Sequence, residues 1–243
     1  MDGLLVIVGI GALAGAITYI GAIFAERFQA SQRLVNGALK FAAGMIMAVV
    51  AFSLMPKAVR GASYTWVLGA FFVGGLLYIL VEYLSQRVMA SRAGADGSPA
   101  SVGLYVGILV DVFVDGVVIG IGATLSLLTG LVMALSLSAH CAPLAFVTVS
   151  TAKRLGMAEQ SRRLLGILFV VAVMAGAILG YLVLRNLSLE ARLVLAALVS
   201  GFLLTTVVQG MIPVAYREDE PAFAGVLFIG GLTVYGLMSL VLE

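Results

Sequence analysis

Apolar residues fill eight long blocks of the chain, at about 3–24, 37–57, 65–86, 102–125, 127–151, 164–184, 192–213 and 222–242, with short polar connections between them. Each block reaches or approaches the roughly 20 residues that a helix needs to cross a bilayer. Backbone groups in hydrocarbon are satisfied only inside helices or closed barrels. The pattern therefore predicts an all-α integral membrane protein of eight transmembrane helices, with residues 1–243 forming one membrane-embedded domain. The longest connection, SRAGADGSPAS at 91–101, is small, polar and rich in turn formers, and reads as a solvated loop.

Composition agrees with this reading: 62% of the residues are hydrophobic and only 11% are charged, far from the balance of a soluble domain. No basic residue precedes the first block, which is long and Gly-rich, so it reads as a mature helix rather than a signal peptide. Basic residues cluster on alternate connections. Connections 1–2, 3–4, 5–6 and 7–8 with their flanks hold 10 of the 14, among them Arg92, Lys153, Arg154, Arg162, Arg163 and Arg217, whereas the others hold Lys57, Arg60, Arg185 and Arg192. The excess of Lys and Arg on cytoplasmic loops then puts both termini outside. The expected location is a plasma membrane, the bacterial inner membrane, with lipid as the surrounding partner. Gly-rich helix faces permit a homodimer, and nothing in the charge pattern points to nucleic acid. Lys153, Arg154, Arg162 and Arg163 are expected to anchor the cytoplasmic face in anionic lipid.

A weak internal echo is present. GMIMAVVAFSLMPKAV (44–59) and GFLLTTVVQGMIPVAY (201–216) both run from a Gly to a Pro twelve residues later, at Pro56 and Pro213. Helices 1–3 are thus expected to recur as helices 6–8 around helices 4 and 5, in inverted orientation, an arrangement that places a site near the membrane midplane in secondary transporters.

Against this apolar background the stretch DVFVDG stands out. Asp111 and Asp115 lie four residues apart and share one helix face. A carboxylate at the bilayer centre costs about 2.5–3.5 kcal/mol on an insertion scale, so the pair needs a compensating interior, water or cation. His140, the single histidine, lies in helix 5 beside Cys141 and three residues before Pro143, which withdraws a backbone hydrogen bond. Gln209 lies in helix 7, four residues before Pro213. Two carboxylates, an imidazole, a thiol and an amide oxygen form a ligand set suited to a divalent transition metal such as zinc, iron or manganese, with the thiol favouring softer ions such as cadmium. In the competing structural reading, His140 and Gln209 are hydrogen-bonding glue between helices and Cys141 is a small apolar filler.

These segments resemble the ZIP (Zrt/Irt-like) divalent-metal transporters over nearly the whole chain: KFAAGMIMAVVAFSLMPKAV in helix 2, DVFVDGVVIGIG in helix 4, HCAPLAFVTVSTAKRLGMAEQSRR in helix 5 and GFLLTTVVQGMIPVAYRE in helix 7. In that family helix 4 carries His-Asn-x-Pro-Glu-Gly and helix 5 carries His/Gln-Glu/Asp-x-Pro-Glu, and together they build a two-metal site. By resemblance Asp111 stands for the histidine, Val112 for the asparagine, Val114 for the proline, and Asp115 and Gly116 for Glu-Gly. His140 and Pro143 match in helix 5, Cys141 replaces the acid and Leu144 the bridging glutamate. Gln209 stands at the acidic position of helix 7, and Ser53, with Met55 nearby, is the matching polar position of helix 2. One metal site is therefore expected to persist, on Asp111, Asp115 and His140, with Cys141, Gln209 and Ser53 as additions, while the second loses its ligands at Val112 and Leu144.

The implied function is secondary transport of a divalent metal by alternating access, with the ion as substrate, no organic cofactor and no enzymatic activity. Two other functions compete: a non-transporting metal sensor or carrier of another solute, and an intramembrane aspartyl enzyme. The last is disfavoured because both aspartates lie on one helix.

Overall fold

A computed structural model describes residues 2–28, 31–90, 99–125, 127–215 and 225–242. Arg92, Arg217 and most of the loop expected at 91–101 lie outside the described residues. The described residues form eight helical rods and no strand: α1 (Asp2–Arg27), α2 (Gln32–Gly61), α3 (Tyr64–Ala90), α4 (Pro99–Leu125), α5 (Leu127–Arg154), α6 (Glu159–Leu184), α7 (residues 189–215) and α8 (Gly225–Leu242). Six of them (α1, α2, α3, α5, α6 and α7) contain described stretches long and apolar enough to cross a bilayer, and Gly225–Leu240 of α8 is a shorter apolar run. Large apolar side chains such as Phe24, Phe72, Val183 and Leu240 point outward while the interior is also apolar. Helices that are hydrophobic all round have lipid as their solvent, so the chain is an all-α membrane protein.

Local chemistry sets the breaks in α2 and α7. Pro56 has no N–H to offer Phe52, and Pro213 none to offer Gln209, so each helix widens one turn ahead into a π-helical segment, Val49–Leu54 and Thr206–Met211. Each segment closes on a bond five residues back, Met55 N–H to the Val50 carbonyl and Ile212 N–H to the Val207 carbonyl. Both helices also begin alike. Ser31 accepts the Leu34 N–H at 3.2 Å and Ser188 the Ala191 N–H at 3.2 Å, each hydroxyl satisfying one orphan donor of the first turn.

Glycine seams set the packing. A Cβ on Gly116 would run into the Val173 carbonyl and into Gly176 Cα of α6, while one on Gly176 would run into the Phe113 carbonyl of α4. The two backbones touch there, the close approach that small residues allow in membranes. In the same way α2 meets α8 through Gly44 and Gly231, α3 meets α7 through Gly74 and Gly201, and Gly21 seats α1 on the Ala142 carbonyl of α5.

At one end of the bundle Lys153 donates to the Glu26 carbonyl (2.7 Å) and thereby caps α1. Arg162 grips the Glu26 carboxylate with two nitrogens, at 2.6 and 2.9 Å, and also bonds the Met157 carbonyl. Arg163 pairs with Glu159 and Arg154 bonds Gln32. Three of the charges expected to face lipid headgroups thus hold helix ends together: Lys153 and Arg162 between helices, and Arg154 between α5 and α2. At the other end Arg192 donates to the carbonyls of Thr124, Leu187 and Arg185.

Candidate metal centre

α5 lies deep in the bundle, and His140 is 13 residues from its start (127) and 14 from its end (154), roughly 20 Å from either. Three donor atoms meet there. His140 Nε2 lies 3.0 Å from Asp115 Oδ2, Cys141 Sγ lies 3.2 Å from the same oxygen, and Sγ lies 3.8 Å from Nε2. All three side chains are fully or almost fully buried, as is Asp111 one turn back on α4. Thr206, in the π-helical turn of α7, lies beside Asp111 and donates its hydroxyl to the Phe202 carbonyl (3.1 Å), and Thr18 of α1 lies beside Cys141 and donates to the Ala14 carbonyl (2.9 Å). The centre is therefore walled by four helices: α1, α4, α5 and α7.

Polar atoms are left over. Asp111 Oδ1, Asp115 Oδ1 and His140 Nδ1 are buried with no hydrogen-bond partner among the described residues. Each such atom costs about 1–3 kcal/mol, more when charged. Such groups call for a water, an ion or a functional role that meets them.

Geometry supplies a fit test for a metal. Sides of 3.0, 3.2 and 3.8 Å define a triangle whose circumscribed circle has a radius of about 2 Å. Zinc-type bonds to N and O are ~2.0–2.2 Å and to S ~2.3 Å, so an ion slightly above the plane of the three atoms reaches all of them without rearrangement. Calcium, which takes six to eight oxygens at ~2.3–2.6 Å, does not suit three mixed donors at this spacing. Asp111 lies one turn back on α4, buried and with an unpartnered Oδ1, outside the group of three close donors.

The other expected ligands are placed differently. Ser53 is buried, but its hydroxyl is hydrogen-bonded at 2.5 Å to Tyr235 of α8. Gln209 is exposed, so α7 presents Thr206 rather than Gln209 to the centre. The residue missed by sequence reasoning is thus Thr206; the TT pair in GFLLTTVVQGMIP was the available signal. Val112 and Leu144 are buried in the apolar core, where they offer no donor to a second ion. No protein-family model matches the chain, and no curated protein does.

Proposed function

We propose that the chain is a ZIP-like secondary transporter that carries a divalent transition metal through a single mid-membrane site built on Asp115, His140 and Cys141, with Asp111 as fourth ligand. The observation that carries the reading is the buried triad itself: N, O and S donors spaced for one ion, with unpartnered polar atoms beside them, at the middle of a largely apolar bundle.

An inverted repeat of α1–α3 and α6–α8 supports alternating access around that site. An offset of 157 residues relates the starts of α1 and α6 (2 and 159), both 26 residues long. The same offset relates the N-caps (31 and 188), the π-helical segments (49–54 and 206–211) and the prolines (56 and 213). Gly44 and Gly74 map onto Gly201 and Gly231 by the same step, so the α2–α8 seam corresponds to the α7–α3 seam. Each element lies five helices along the chain from its counterpart, with four between; if all eight cross, the second unit is inverted and both termini lie on one side, the non-cytoplasmic side by the distribution of basic residues. One unit can then rock against the other around a fixed centre.

Uptake into proteoliposomes of zinc, iron, manganese, cobalt and cadmium tests the proposal. Uptake that Asp115→Asn abolishes is expected; uptake unchanged by that substitution refutes the ligand role. Tight binding without uptake of any ion marks the chain as a sensor, the reading favoured by the apolar residues at Val112 and Leu144.

A further inference from the structure

Side chains break the likeness between α2 and α7 at their π-helical turns. The two backbones match: each turn precedes a proline that withholds an N–H, and each closes on a bond five residues back. In α2 the turn is pinned to α8. Ser53 is hydrogen-bonded to Tyr235 at 2.5 Å with both side chains buried, and the Phe52 ring lies over Gly236, whose added Cβ would stand 3.7 Å from it.

The offset of 157 carries Ser53 onto Gly210, Tyr235 onto Tyr78 and Phe52 onto Gln209. The tyrosine is kept and its partner is gone. A Cβ on Gly210 would stand 2.7 Å from the Tyr78 hydroxyl, so this phenol reaches the α7 turn as Tyr235 reaches Ser53. It meets no side chain at Gly210 and makes no hydrogen bond among the described residues. Its ring rests edge-on against Phe202, with centroids 5.3 Å apart, which holds α3 to the part of α7 ahead of the turn and not to the turn itself. Gln209 is exposed.

Two further differences loosen the α7 turn. Thr205 and Thr206 return their hydroxyls to the carbonyls of Gly201 and Phe202, at 2.9 and 3.1 Å, where α2 has Ala48 and Val49. Such back-bonding slightly destabilises and bends helices. Gly210 also brings the widest backbone freedom of any residue into the turn, at the position where α2 has Ser53.

We propose that the Thr206–Met211 turn of α7 is a hinge and that the matching Val49–Leu54 turn of α2 is a fixed strut. Thr206, the first residue of the hinge, lies beside Asp111, so flexing there moves one wall of the centre, and an ion that fixes Asp111 orders the turn. That coupling rests on reading the triad as a cation site; the difference between the two turns does not.

The test is hydrogen–deuterium exchange, read by mass spectrometry on the full chain in lipid nanodiscs, over residues 206–212 and 49–55 with and without zinc. The α7 turn is expected to exchange at least about tenfold faster than the α2 turn, the factor that one hydrogen bond and a freer backbone supply. Gly210→Ser, which offers Tyr78 a hydroxyl, is expected to slow the α7 turn, and Tyr78→Phe to cancel part of that slowing. Ser53→Gly is expected to speed the α2 turn alone.

Equal rates for the two turns of the unmodified protein, a comparison that needs no variant, overturn the proposal. So does a Gly210→Ser turn that exchanges as fast as the original. Slowing of the α7 turn alone by zinc upholds the hinge and its coupling to the centre. A fast α7 turn indifferent to zinc upholds the hinge and removes the ion from the centre, whereas two equal turns slowed equally by zinc overturn the hinge and leave the ion standing.

Discussion

Replacing Gly116 by Ala adds one methyl group at the place where α4 and α6 touch. The added Cβ would stand 2.9 Å from Ala177 N and 3.0 Å from Gly176 Cα, and closer still to the Val173 carbonyl. All three are backbone atoms of α6, so no side chain can swing aside and the helices must separate by a few tenths of an ångström to about 1 Å. Overpacking of this kind costs about 1–3 kcal/mol, and a purely backbone clash belongs at the upper end. Helix propensity returns about 0.8–1.0 kcal/mol when Gly becomes Ala. The net loss is about 2 kcal/mol, or about 4–8 °C in melting temperature for a chain of this size.

Gly9→Ala makes the matching control, since nothing stands within 4 Å of its added Cβ; it is expected to be neutral or slightly stabilising. Gly116 also follows Asp115 directly. A shift of α4 displaces Asp115 Oδ2 from its 3.0 Å contact with His140, so metal affinity should fall together with stability. Thermal unfolding in detergent, with Gly176→Ala and the double variant, completes the cycle: the two substitutions relieve one shared contact and should be less than additive. A Gly116→Ala protein that melts with Gly9→Ala would refute the helix contact and the packing argument built on it.

Further outcomes follow from single contacts. Tyr235→Phe leaves the buried Ser53 hydroxyl without the bond it makes at 2.5 Å and should cost about 1–3 kcal/mol in thermal unfolding, with less loss when Ser53→Ala is combined with it. Thr206→Val should weaken metal binding in a dye-competition assay, whereas Gln209→Ala, exposed on α7, should leave it unchanged. Beyond the apolar stretch of α1, the hydrogen bonds from Arg162 hold the Glu26 carboxyl below its usual pKa of 4.5, despite the opposing effect of desolvation. A depressed carboxyl contributes stability above its unfolded value and loses it as pH falls through the lower folded value. Melting temperature should therefore decline below about pH 4.5 more steeply in the unmodified protein than in Glu26→Gln, whose side chain does not titrate.

Much of this arrangement is legible in the residues alone. Long apolar runs announce the helices, and Asp111, Asp115 and His140 stand out because ionisable groups are costly in such runs. That Asp115, His140 and Cys141 converge on one point follows from the antiparallel succession of α4 and α5, which the short connection between them predicts. The inward aspect of α7 was not legible. Its π-helical turn alters the angular step, so that counting residues from Pro213 selects Gln209 while the widened helix presents Thr206. Ser53 has suitable chemistry for a ligand, and only the position of Tyr235, 182 residues later, reveals that its hydroxyl is engaged. The basic residues at the helix ends illustrate the same limit: composition announces Lys153 and Arg162 as surface charges, whereas three-dimensional proximity directs them to Glu26. The common Gly-to-Pro spacing of α2 and α7 is visible in the sequence and their serine caps are local to each helix, whereas the glycine seams depend on contacts between helices far apart in sequence.

The most direct test of the central claim is the metal-to-protein ratio of the purified chain after equilibration with zinc or cobalt and removal of free ion, measured beside Asp115→Asn and His140→Ala. One ion per chain is expected, with affinity falling by at least about tenfold in each variant, since even residues that only orient ligands cost 10–100-fold. No retained ion, or one ion per chain held equally well without Asp115 and His140, would contradict a metal centre at this triad.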